Sequence, residues 1–191
     1  MNANARARAL SQIDAWAHGR SALIRLPLLI YFAWVFRNHL NNPFYNSLPG
    51  GLNLVIHELG HFLWAPLGQF WSILGGSLTQ CLVPVVVAGL FVRQRDYFAV
   101  AVTFCWLSTN LFGVATYAAD ALTQQLPLVS PVGDDPIHDW GFLLTKWQKL
   151  SRAAQIGDWL RNAASASMLI GLGGGGWILW RMHKLRRPPT P

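Results

Sequence analysis

The run NLVIHELGHFLWAPLG, Asn53 to Gly68, sets two histidines and a glutamate inside an otherwise apolar segment. Its periodicity predicts a helix, with Pro49-Gly50-Gly51 as the entry turn. His57 and His61 stand four residues apart, so both project from one face, a turn apart, and can grip one ion. Glu58 lies roughly a third of a turn away and reaches a metal-bound water rather than the metal. This is the H-E-x-x-H arrangement for one zinc: the ion lowers the pKa of its water to about 7, and the glutamate takes the proton as the hydroxide attacks a carbonyl. Gly60 leaves room for a substrate strand or another helix, and Asn53, one turn before His57, is placed to support the ligands from behind.

Composition says which solvent surrounds this helix. In 191 residues, 52% are hydrophobic, 12% are charged and mean hydropathy is +0.28, so the expected solvent is lipid. An ionisable side chain at the bilayer centre costs about 2.5 to 3.5 kcal/mol and is by default functional, which favours a metal site over a chance motif on a soluble surface. The net charge of +7 flanks apolar segments, which suits anionic lipid headgroups and argues against a nucleic-acid partner. Six histidines are too few and too scattered for a histidine-rich di-iron oxygenase. Cys81 and Cys105 sit in apolar runs and read as small buried hydrophobes.

Working outward, the apolar segments are Ala22 to Phe36, the HELGH helix, Trp71 to Phe91, Phe98 to Leu122 and Ala163 to Trp180. The first lacks a small-residue cleavage site and is read as a membrane helix, not a signal peptide. Basic residues collect at the N-terminus (Arg6, Arg8, Arg20, Arg25), at Arg93 and Arg95, and in the tail from Arg181 to Arg187. All three ends share the cytoplasmic side if the HELGH helix enters and returns without crossing. The expected fold is therefore an all-α polytopic membrane bundle of four to five apolar helices, with the HELGH helix re-entrant. One domain covers 1–191, with a basic segment at 1–21, an extramembrane or interfacial stretch at 123–162 and a basic tail at 181–191. Within that stretch, SPVGDDPIHDWG reads as a loop, Asp134 and Asp135 as turn formers, and Phe142 to Leu160 as helices on the membrane surface or packed on the bundle. Gly171-x-x-x-Gly175 has the spacing of close helix packing, within the bundle before any homo-oligomer.

HELGH on an apolar helix, followed by a second membrane helix with a lone buried aspartate, resembles the site-2 protease family of intramembrane zinc metallopeptidases. The resemblance covers His57 to Asp120. It implies His57 and His61 as metal ligands, Glu58 as general base, Asp120 as third ligand, and Asn110 near the place of an asparagine that holds substrate. Thr109, Gly113 and Thr116 form a small polar stripe leading to Asp120. The family's prolines between asparagine and aspartate, and its glycine after the aspartate, have no counterpart in NLFGVATYAADA.

The loop DDPIHDW supplies a rival third ligand, His138, which Asp139 orients unless Asp139 binds the ion itself. The expected function is hydrolysis of a membrane protein or peptide substrate in or near the bilayer, in an integral protein of the bacterial inner membrane. The alternative is a non-proteolytic scaffold or assembly protein with a structural metal, told apart by whether one coordination position stays open.

Overall fold

The computed structural model describes residues 3–128 and 137–185. Helix accounts for 81%, with no strand among the described residues. Asp134, Asp135 and the tail beyond Leu185 lie outside them. The helices are α1 Ala3–Ala17, α2 Leu26–Asn41, α3 Pro49–Trp64, α4 Gln69–Arg93, α5 Tyr97–Ala119, α6 Asp139–Lys146 and α7 Ala153–Leu185.

Their boundaries follow from local chemistry. Pro27 and Pro49 stand in the first turns of α2 and α3, where a missing N–H costs nothing. Pro66 and Gly68, the latter at φ 96°, break the chain between α3 and α4. Asp96 starts α5 by accepting from the Ala99 N–H at 3.0 Å.

Three segments are long and apolar enough to cross a membrane: Gln69–Arg93, Tyr97–Ala119 and Leu150–Leu185. At 1.5 Å per residue, α4 reaches about 38 Å against a hydrocarbon core of about 30 Å. Helices α2 and α3 have 16 residues each, or about 24 Å. Three helices are therefore long and apolar enough for a full crossing, against the expected bundle of four to five apolar helices with one re-entrant. The last apolar segment is also longer than Ala163 to Trp180: α7 runs unbroken for 33 residues. Of the two readings of Ile156 and Leu160, membrane surface or bundle, they follow the second, packing in its first turns against the cluster of Val114 and Ala118.

Helix α5 is the centre of the bundle. It runs antiparallel to α7, with the Ser108 hydroxyl donating to the Ala164 carbonyl at 2.7 Å and Ser167 to the Phe104 carbonyl at 2.8 Å. Serine hydroxyls thus satisfy themselves on backbone between two apolar helices. Gly171 and Gly175 face different neighbours: a Cβ on Gly171 would lie 2.7 Å from the Ala101 carbonyl oxygen, and one on Gly175 2.9 Å from Leu29 Cδ2. The expected packing within the bundle is what these glycines do. Helix α2 runs beside α5 in the same direction, from Arg25 over Phe98 to His39 stacked on Phe112 at 4.5 Å. Arg181 pairs with Asp14 at the same end. The outer surface stays apolar: Val55, Leu59 and Phe62 on α3, Val86 and Leu90 on α4, and Leu169 and Ile170 on α7 are exposed. Exposed apolar side chains on three helices are consistent with lipid around the bundle.

Candidate metal centre

Helices α3 and α4 meet through glycine. A Cβ on Gly60 would overlap the Gly75 carbonyl, and one on Gly75 would stand 2.8 Å from the Gly60 carbonyl oxygen. Gly60 thus admits another helix, one of its two expected uses. The approach brings the His57 and His61 rings against Gly76, whose Cβ would sit 2.7 Å from His57 Nε2 and 2.8 Å from His61 Nε2. Only glycine leaves the two nitrogens free on that side.

Both rings are held by their far nitrogens. His61 Nδ1 donates to the Ser72 carbonyl at 2.9 Å, and His57 Nδ1 to Gln80 Oε1 at 3.0 Å. Because both partners are acceptors, each neutral ring carries its proton on Nδ1 and turns the Nε2 lone pair inward. There they meet Asp139: its Oδ2 is 2.9 Å from His57 Nε2 and 3.3 Å from His61 Nε2. Three lone-pair-bearing atoms converging there repel one another unless a proton or a metal ion stands among them. All three lie within 4.8 Å of one another, so the group could hold a metal ion. The outward hydrogen bonds are those that orient metal-binding imidazoles.

The remaining expected residues fall in other places. Asp120, expected from the resemblance to be the third ligand, sits at the C-terminus of α5 and faces a loop. Its Oδ1 accepts from Thr123 Oγ1 at 2.7 Å and the Gln125 N–H at 3.0 Å, and its Oδ2 from the Leu126 N–H at 3.0 Å. Those donors outweigh the upward push of burial and keep its pKa below the ordinary value. His138 Nε2 lies 3.4 Å from Asp120 Oδ2, and its Nδ1 accepts from the Gly141 N–H at 3.0 Å, so both its nitrogens are engaged outside the His57 group. Of the two readings of Asp139, the geometry has it beside the histidines itself.

Asn53 is buried, donating to Thr109 Oγ1 at 3.1 Å and accepting from Trp106 Nε1 at 2.8 Å, which ties α3 to α5 one turn from His57. Asn110 is fully buried, and its amide donates to the Trp106 carbonyl. It does not line the cavity beside the histidines. That cavity, about 720 Å³, has a mostly apolar surface, and His57, Glu58, His61, Asn53, Tyr117 and Asp139 are among the residues that line it. Among the described residues the Glu58 carboxylate has no hydrogen-bond partner.

Gln80, Gly76, Tyr117 and the Ser72 carbonyl escaped the reading of the sequence. Gln80 had a signal, a lone amide in the apolar run of α4. The adjacent pair Gly75-Gly76 had another, small residues where helices approach. No protein-family model, curated protein or solved structure matches this chain, so the centre is known by its own geometry.

Proposed function

We propose that this chain is a membrane-embedded, zinc-dependent peptidase that cleaves apolar protein or peptide substrates in or beside the bilayer. One observation carries the reading: the His57, His61 and Asp139 donors converge in the wall of an apolar cavity that also presents Glu58. Two imidazoles and one carboxylate are a ligand set of catalytic zinc, which keeps a fourth position for water or substrate. When bound, such an ion supplies Lewis acidity and lowers the pKa of a coordinated water to about 7.

The chain's residues do the rest. Glu58, next to His57 on α3 and lining the same cavity, accepts the proton from the attacking water and returns it to the leaving nitrogen. The apolar cavity wall binds the side chains of an unwound substrate and limits bulk water near the reacting bond. Gln80 and the Ser72 carbonyl keep the imidazoles in one tautomer.

A topology follows from the basic ends. Arg20, Arg25, Arg95 and Arg181 lie at one end of the bundle, and charge bias makes that end cytoplasmic in a bacterial inner membrane. The start of α4 and the end of α5 then face away, and the chain between α2 and α4 dips in and comes back out, with α3, about 24 Å long, as its returning limb. Its irregular entry is tolerable because the cavity and α5 cover it.

The test is cleavage of an apolar model peptide by detergent-purified, zinc-loaded protein. Glu58→Gln should abolish cleavage while zinc stays at one per chain. Persistent cleavage by the variant removes the peptidase reading. Full zinc with no cleavage by wild type leaves a scaffold with a structural metal.

A further inference from the structure

His138, Asp139 and Trp140 are consecutive, yet each is tied to a different helix. Asp139 reaches His57 and His61 on α3. Trp140 Nε1 donates to Ser77 Oγ on α4 at 3.1 Å. His138 lies against Asp120 at the end of α5. Helix α5 makes a second hold: Tyr117, one turn before Asp120, accepts the Asp139 backbone N–H through its hydroxyl oxygen at 3.0 Å. Asp139 enters the site from a short helix of eight residues, whereas its two partner ligands share α3. Its position therefore depends on its anchors more than theirs does.

The tautomer of His138 follows from its partners. Nδ1 accepts from the Gly141 N–H at the start of α6, so the neutral ring carries its proton on Nε2 and turns it toward Asp120 Oδ2. His138 is buried, with its ring 4.4 Å from that of Tyr117. Asp120 in turn is fixed by Thr123, Gln125 and Leu126.

We infer that Asp120 and His138 form a positioning pair that sets the Asp139 carboxylate for the metal, holding the third ligand without touching the ion. Such supports are worth about 10- to 100-fold in metal affinity. The inference rests on the metal centre proposed above and assigns Asp120 a role other than ligand.

Competition for zinc against a chromophoric chelator, on the full chain in detergent, separates the possibilities, and the visible spectrum of the cobalt-substituted protein reports ligand geometry. His138→Asn is the informative variant. Asparagine keeps a cap oxygen for the Gly141 N–H but is too short to reach Asp120. It should weaken zinc binding about tenfold or more and alter the cobalt bands. Asp120→Ala should do the same, and the double variant should be no worse than either single one, since both break one link. Unchanged helix content and melting temperature in His138→Asn show that the loss is local. If His138→Asn binds zinc like wild type while His57→Ala loses it, the pair merely closes a loop and the inference is wrong, although the centre stands. Additive losses in the double variant also overturn it. Wild type that takes up no zinc removes both the centre and the pair.

Discussion

Two glycine-lined seams in this protein use the same backbone freedom to opposite ends. At the seam of α7 with α5 and α2, Gly157, Gly171 and Gly175 admit Ala119, Cys105 and Leu29, and packed atoms fill the space. At the seam of α3 with α4, Gly60 and Gly75 bring the backbones together, while Gly76 gives its space to two imidazole nitrogens. The first seam ends in apolar contact. The second ends in unshared lone pairs beside a cavity of about 720 Å³. Close approach in one place fills space, and in the other it gathers a group that could hold a metal ion, with room next to it. The glycines therefore predict different failures.

The sharpest contrast comes from the donors themselves. His57→Ala should remove zinc binding altogether while helix content by circular dichroism stays at the wild-type level, because the α5–α7 seam does not depend on the ion. Loss of the fold instead would mean the two seams are one cooperative unit. Next in size is Gly76→Ala. Its methyl group would press on both Nε2 atoms, and overpacking of this kind costs about 1–3 kcal/mol. Zinc affinity, read by chelator competition, should drop about ten- to a hundredfold, since about 1.4 kcal/mol is tenfold.

Gly171→Ala should show the converse. The added methyl would meet Cys105 Sγ at 2.5 Å and the Ala101 carbonyl oxygen at 2.7 Å. A stability loss of about 1–3 kcal/mol in detergent unfolding is expected, with zinc affinity unaltered in the folded protein. An affinity loss would break the separation of the seams. The smallest effect belongs to Gly173→Ala, where a Cβ meets nothing within 4 Å. There alanine should raise stability by up to about 1 kcal/mol through helix propensity. Destabilisation of the size expected for Gly171 would mean that the whole glycine run is a contact surface.

Much of the fold was legible because lipid imposes a one-dimensional rule. Apolar length marks a crossing helix, and α4 and α5 begin and end close to where the apolar runs do. The rule weakens for short segments: α2 and α3 carry the right composition but only 16 residues each. It also fails where a polar surface continues an apolar helix, which is how α7 came to absorb Ile156 and Trp159.

The site divides along the same line. Spacing alone placed His57, Glu58 and His61 together, since an i, i+4 pair meets by local geometry whatever the rest of the chain does. The third donor comes from 78 positions beyond His61, where no local rule applies. The sequence offered Asp120 near the end of an apolar run and His138 and Asp139 in a loop. The choice fell to the tertiary structure, because the loop after α5 consumes the Asp120 carboxylate in backbone hydrogen bonds. His138 spends one nitrogen capping α6, and only Asp139 has a side chain left to turn toward α3. The sequence by itself determined an apolar helical chain with two histidines on one helix face, because periodicity and transfer free energy act locally. Which carboxylate completes the grip was decided by how α6 docks against three helices at once, since each donor can satisfy only the partners that packing puts within its reach.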